Sequence, residues 1–200
     1  MENIRLAKII YPDWKCRFYV DDSVDKGIIR SILLAGGDVF KITENRGPFL
    51  GAFWRFMASD DPDIDIFISR DCDSRLSNRE KVCVDEWINS NKYIHTMHDN
   101  RGHISVPMLG GMWGAKKGCI ENMTDKIVKW GMYNGYNSKE VDQSFLRDII
   151  WPNVKNMTMG HSSLKHYWAN SSPFPAYNDL GIKVNYVGEI YDENNNSVIP

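Results

Sequence analysis

The order of apolar strands, capped helices and glycine stops along this chain predicts an α/β domain, with helices flanking a central mixed sheet that is mostly parallel. Three observations carry that expectation. Short strand-like runs at residues 15–20, 38–42 and 64–69 are separated by stretches of helical periodicity. Helix punctuation falls between them, with Gly36-Gly37 as a left-handed stop and Ser77-Asn78-Arg79-Glu80 as a capping box. Finally, 200 residues with a 42% hydrophobic fraction support one core but would leave two halves with marginal ones. The expected organisation is a single domain over residues 1–190. The polar stretch 191–200 is read as a frayed tail or a linker to a further C-terminal domain.

In order, Ile4, Leu6, Ala7, Ile10 and Tyr11 recur at helical spacing until Pro12 stops the pattern. A strand follows, then a helix capped by Ser23 and ending near Ala35, then a second strand. Phe49, Leu50, Phe53, Trp54 and Met57 form one apolar stripe, and residues 64–69 read as a strand buried in a sheet. The capped helix after Ser77 reaches Trp87 or Ile88. Further strands are expected at 93–97, 154–159 and 184–187, with helices near 120–130 and 138–150. In such a layered fold the ligand site belongs at the C-terminal ends of the strands.

Composition excludes several classes. The 24 basic and 26 acidic residues give a net charge of −2 without a basic block, which argues against a nucleic-acid partner. No apolar run is long enough for a membrane span. The start, Met1-Glu2-Asn3-Ile4-Arg5, lacks the pattern of a secretory leader, so a cytoplasmic location is the default. Cys16, Cys72, Cys83 and Cys119 lack metal-site spacing and read as reduced packing residues.

Three segments can carry chemistry. An apolar strand runs directly into Arg70-Asp71-Cys72-Asp73-Ser74-Arg75, which delivers Asp71 and Asp73 to the sheet edge. Hard divalent cations prefer such oxygen donors and keep positions open for phosphate, so the pair suits a metal that neutralises a nucleotide diphosphate. Arg70 and Arg75 would bond phosphate or hold the carboxylates, although local Asx turns use the same residues. In Leu109-Gly110-Gly111-Met112-Trp113-Gly114, the glycines around Gly111 permit close backbone approach and Trp113 offers a face to a sugar or base. A tight bend between core elements fits that segment equally well. On the third segment, Asp142 falls within the stripe Val141, Phe145, Leu146 and Ile149, which would face it to the interior or a cleft as a candidate catalytic carboxylate, although an acid in the first turn favoured by the helix dipole reads the same way. His161, after an expected strand, is a candidate ligand.

Phe53-Trp54-Arg55-Phe56, the segment from Arg70 to Glu80, Gly110 to Gly114 and Asp142 to Leu146 resemble, in order, small glycosyltransferase domains of the GT-A fold. That group includes the N-terminal domain of a chlorella-virus capsid-glycosylating protein, and the likeness covers roughly residues 50–165. It implies a GT-A-like, Rossmann-like three-layer domain and a UDP-sugar donor of a hexose or deoxyhexose. Manganese or magnesium would sit at Asp71 and Asp73, with His161 completing the site and Arg55 and Arg75 near the donor. The implied acceptor is a glycan or glycoprotein, in viral capsid glycan synthesis in the host cytoplasm. Helical spacing sets Arg55 opposite the apolar stripe, and this chain opens with a helix where GT-A domains open with a base-holding strand. The strand at 15–20, approached by Tyr11, Pro12 and Asp13, would take that place. Rival readings are an Asp-nucleophile phosphohydrolase and a non-catalytic nucleotide-sugar-binding module.

Overall fold

The computed structural model describes residues 1–43, 50–164, 171–176 and 184–198. The chain begins with α1 (Glu2–Ile10), β1 (Arg17–Val20), α2 (Lys26–Leu34) and β2 (Asp38–Lys41). Next, α3 (Gly51–Trp54) tightens into a 3-10 turn (Arg55–Asp60) that leads to β3 (Ile66–Ser69) and α4 (Asn78–Ile88). Then come β4 (Ile94–His98), a 3-10 turn (Arg101–Ser105), β5 (Trp113–Lys116) and α5 (Met123–Asn134). The last helical stretch is α6 (Val141–Phe145), a π-helical turn (Leu146–Ile150) and α7 (Trp151–Val154), and a 3-10 turn (Lys155–Met157) precedes β6 (Thr158–Ser162) and the short β7 (Ser171–Ser172).

The described strands form a two-stranded parallel sheet, β1-β2, and a five-stranded mixed sheet in the order β3-β5-β4-β6-β7. In the larger sheet four of the five strands share one direction, as the sequence leads one to expect, and β5 is the strand that breaks it. β5 runs antiparallel to both β3 and β4, while β4, β6 and β7 are mutually parallel. The physical reason lies in the glycine-rich segment before Trp113, which turns at Leu109 to Met112 and feeds straight back between two strands, with no crossover helix to keep the direction.

Both faces of this sheet are covered. Along β3, Phe67 packs into a large core with Phe53, Phe56, Trp113, Met123 and Phe145, whereas Ile66 and Ile68 pack against Leu6, Ile10, Tyr11, Val84 and Trp87. That period-two split places α1 and α4 on one face, with α3, α5 and α6 on the other. Gly114 leaves room for the layer above. A Cβ there would lie 2.7 Å from the Phe67 carbonyl oxygen and 3.2 Å from the Trp87 ring. Among the described residues no helix is long and apolar enough to cross a membrane.

Several local expectations shift. Asp25, not Ser23, caps α2, its Oδ1 accepting from the Gly27 and Ile28 amides, while Ser23 bonds Asp21. Ser77 does cap α4, but Glu80 completes no box: its buried carboxylate accepts from Tyr11 Oη at 3.1 Å and Arg70 Nε at 2.9 Å. Strand β6 starts at Thr158 rather than 154, because the helical run persists through Met157. Val184 to Val187 form turns and no strand. Phe49 of the apolar stripe lies outside the described residues.

The start of α5 is held from a distance. Its N-terminal residue follows Asn122, which is in the left-handed region at φ 55° and makes no side-chain cap. Asp60 substitutes, accepting from the Met123 amide at 2.8 Å and from the Thr124 amide and hydroxyl at 2.7 Å. This bond set ties α5 to the turn that carries Arg55. Asp60→Ala should therefore lower unfolding free energy in urea by about 1 kcal/mol, the usual scale of a lost N-cap, and Asp60→Asn should recover part of it.

Candidate active site

The topology collects the chemistry on one edge. β3, β4 and β6 all end there and β5 begins there, so Asp71, Gly111, Asp99 and Ser163 lie just beyond neighbouring strands of the sheet. This is the edge at which mixed and parallel α/β sheets bind ligands.

At its centre one guanidinium bridges two carboxylates. Arg55 Nη1 donates to Asp71 Oδ1, and Arg55 Nη2 donates to Asp142 Oδ2 at 3.0 Å. Asp142 is buried, and its Oδ1 also accepts from the Gln143 amide at 2.9 Å. The Asp71 side chain is about half exposed, at 48% against 6% for Asp142. The bridge thus runs from the interior to the surface. Burial raises the Asp142 carboxyl above the ordinary aspartate range, and the adjacent Arg55 charge opposes that rise without cancelling it. For Arg55, burial works against the charged form, but Asp71 and Asp142 outweigh it and raise its pKa.

The glycine turn is shaped to this bridge. Ser69 Oγ donates to the Gly110 carbonyl at 2.6 Å and pins the turn to the end of β3. A Cβ on Gly110 would strike Asp142 Oδ2 and lie 2.6 Å from Arg55 Nη2; a Cβ on Gly111 would strike the Asp71 carboxylate. Neither glycine has positive φ, so close approach and not backbone conformation requires them. Arg55, Asp71, Gly110, Gly111 and Asp142 therefore form one constellation.

Other expected residues lie elsewhere. Trp113 is fully buried, edge-on to Phe56 and Phe67 at 5.4 and 5.0 Å, so it is a core residue and presents no face to a ligand. Arg75 is engaged elsewhere: Nε donates to Asn195 Oδ1, Nη1 to the carbonyls of Asp73 and Ser74, and its guanidinium carbon lies over the Tyr191 ring. Asp99 is an anchor, accepting both Arg79 bonds at 2.6 and 2.7 Å and the Val187 amide at 2.8 Å. Tyr11 is buried beneath α4 and donates to Glu80, so it does not approach β1 as a base-holding residue.

His161 does not join Asp71 and Asp73. Among the described residues no group of three or more His, Cys, Asp or Glu side chains is set to hold a metal ion. Because β6 starts late, His161 lies inside the strand, on the same sheet face as His95. Its Nε2 faces Glu86 Oε2 at 3.4 Å and its Nδ1 faces His95 Nε2 at 2.9 Å. Since a carboxylate only accepts, the consistent proton order is His95 Nε2–H to His161 Nδ1 and His161 Nε2–H to Glu86, which leaves no lone pair on His161 for a metal. His95 stacks on Trp87 with ring centroids 5.3 Å apart, and its Nδ1 is buried without a hydrogen-bond partner among the described residues. Sequence reasoning missed this pair because only strand register brings the two rings together.

Asp71 and Asp73 fit a hard divalent cation by donor type. Both offer carboxylate oxygens from one turn, Asp73 is exposed, and a cation held by these two would keep positions open for further oxygen donors.

No family model and no curated protein matches the chain. Among solved structures, it is similar to a glycosyltransferase involved in the glycosylation of the major capsid of PBCV-1, with 13% identity over 74% of this chain and 82% of that one and a TM-score of 0.43.

The histidine pair makes stability depend on pH. Burial lowers both pKa values in the folded state, His95 well below 6.5, with His161 adding to the effect on His95 and Glu86 opposing it on His161. The unfolded chain takes up protons near 6.5 that the folded pair refuses, so stability is full above that pH and is lost as pH falls towards the folded values. Within that window, urea titrations should show a loss of up to about 1.4 kcal/mol per pH unit for each histidine. His95→Gln should flatten the slope; an unchanged slope would assign the dependence to other groups.

Proposed function

We propose that the chain is a metal-dependent glycosyltransferase that moves a hexose or deoxyhexose from a UDP-sugar to a glycan or glycoprotein acceptor. The observation that carries this reading is the Asp71–Arg55–Asp142 bridge, set against a side-chain-free turn at the ligand edge of the sheet. The sequence likeness to small GT-A domains lies in these same segments. Viral capsid glycan synthesis is the biological setting that the likeness suggests.

Asp71 and Asp73 would hold manganese or magnesium, which supplies electrostatic stabilisation to a departing diphosphate. Arg55 keeps a positive charge beside Asp71 whatever else is bound, because a guanidinium does not deprotonate at working pH. Gly111 lets the backbone approach the Asp71 carboxylate, where any larger residue would push it aside. Asp142 is the group suited to accept the acceptor's hydroxyl proton. As that proton leaves, the acceptor oxygen bonds the sugar's anomeric carbon and the bond from that carbon to the diphosphate breaks. A single displacement of this kind inverts the anomeric centre. The raised Asp142 pKa makes it a better base than an ordinary aspartate, while Arg55 keeps enough of it ionised to act.

Calorimetry with UDP and manganese tests the donor half: Asp73→Ala should abolish metal-dependent UDP binding with the melting temperature preserved, and wild-type affinity in the variant would remove Asp73 from the site. For the chemical half, Asp142→Asn should bind UDP and manganese yet lose turnover by about a hundredfold or more, the usual scale for a general base. The acid limb of kcat/KM should lie above the ordinary aspartate range, since the group must be ionised to work. A retained anomeric configuration in the product would overturn the assignment of Asp142.

A further inference from the structure

The segment 184–198 ends in the polar, asparagine-rich run Asp192 to Ser197, yet it is fastened to the turn that carries Asp71 and Asp73. Asp192 folds it back: Oδ1 accepts from the Asn194 and Asn196 amides at 2.9 and 2.7 Å, and Tyr191 and Ser197 form an antiparallel bridge. Asn195 takes the left-handed position of this turn at φ 66°. Buried Glu189 closes its base, accepting from the Asn185 amide at 2.8 Å and from Tyr191 Oη at 3.0 Å.

Arg75 joins the two turns. Nε donates to Asn195 Oδ1 at 2.6 Å, Nη1 to the Ser74 carbonyl at 2.9 Å and to the Asp73 carbonyl at 3.2 Å, and Nη2 reaches the Asp192 carbonyl at 3.5 Å. The guanidinium also lies 4.9 Å from the Tyr191 ring centroid. The Asp73 carbonyl takes a second bond, from the Tyr191 amide at 2.8 Å. On the other side, the Val187 amide donates to Asp99, and a Cβ on Gly188 would lie 2.8 Å from the Met112 sulfur, next to the glycine turn. The backbone at Asp73 is thus held by a cation and an amide that belong to, or are fixed by, the last fifteen described residues.

We propose that Arg75 and the 184–198 segment form a clamp that positions Asp73, so that Arg75 is a positioning residue and not a phosphate ligand. This rests on the reading of Asp71 and Asp73 as the cation pair. Its physical basis is that Asp73 is the exposed tip of a turn whose own bonds are chiefly the Ser74 amide and hydroxyl to the Asp71 carbonyl; Asn3 Nδ2 holds the flanking Cys72 and Ser74 carbonyls at 3.4 and 2.8 Å, but the bonds to the Asp73 carbonyl come from Arg75 and Tyr191. A tip so lightly bonded samples many orientations unless something outside fixes it, and ordering it in advance removes that entropy from the cost of binding.

Asn195→Gly removes the acceptor for Arg75 while keeping a residue that accepts positive φ, and Asn195→Asp restores an acceptor oxygen. Two readouts apply to the full chain: amide hydrogen exchange of the 71–75 stretch by mass spectrometry, and calorimetry with UDP and manganese. Loss of one hydrogen bond to a charged group is expected to speed exchange there by about tenfold and to weaken UDP–manganese binding by a similar factor, with β4 and α5 exchange unchanged and the Asp variant near wild type. Arg75→Lys, which keeps the charge but cannot hold the same set of acceptors, should behave like the Gly variant. Unchanged exchange at 71–75 in both loosening variants overturns the clamp, and faster exchange with undiminished affinity overturns its positioning role. A parent chain that binds no UDP with manganese sinks the functional reading instead, and exchange alone then decides the clamp.

Discussion

The site depends on Arg55 standing between Asp71 and Asp142. Two carboxylates brought to one edge of a sheet repel, and the buried one also loses its hydration. A guanidinium between them answers both costs, because its fork donates to each acid in fixed directions and remains charged when partly buried. Buried ion pairs contribute little net stability compared with apolar packing, yet removing one partner leaves a costly unpaired charge. The bridge is therefore understood as a constraint on geometry. It fixes the distance between an exposed carboxylate on the β3 turn and an interior carboxylate on α6, and the bare Gly110-Gly111 turn is what remains once that distance is set.

Arg55 reaches this position through the local winding of the chain. An uninterrupted α-helix would put it opposite the stripe of Leu50, Phe53 and Met57, away from the core. The helix ends instead at Trp54 and tightens to three residues per turn, so that Phe53 and Phe56 are buried in line and Arg55 is carried round beside them. Its guanidinium lies 5.6 Å from the Phe56 ring centroid. The aromatic core and the charged bridge are thus neighbours on one short turn, and Asp60 at the end of that turn secures it to α5.

What the sequence makes legible follows from which signals are local. The first helix, the β3 strand, the Ser77 cap and the Asp-x-Asp turn are written in spacing and side-chain type, and each appears close to where those signals put it. Contacts across the sheet are not written that way. Arg55 and Asp142 are 87 positions apart, and His95 and His161 are 66. A glycine-flanked tryptophan offers the same pattern whether its ring faces solvent or core; pairing of β5 with strands on both sides puts Trp113 in the core. The direction of β5 depends on a turn that local periodicity does not register, and His161 moved inside a strand because Lys155 to Met157 stayed helical.

Composition misled most where polar residues build structure instead of avoiding it. Asp192 to Ser197 contains almost nothing that buries apolar surface, which by the usual logic means a loose end. Here asparagine and aspartate provide the order through side-chain bonds to backbone amides, and Asn195 accepts a left-handed backbone that most residues resist. Such a turn needs a fixed partner, because hydrogen bonds to water would otherwise serve it nearly as well. Arg75 is that partner, over the Tyr191 ring and largely shielded from solvent, where the same bonds are worth more. The dependence runs both ways: the asparagine turn is ordered by an arginine from the Asp-x-Asp segment, and that segment takes its Asp73 backbone contacts from the turn.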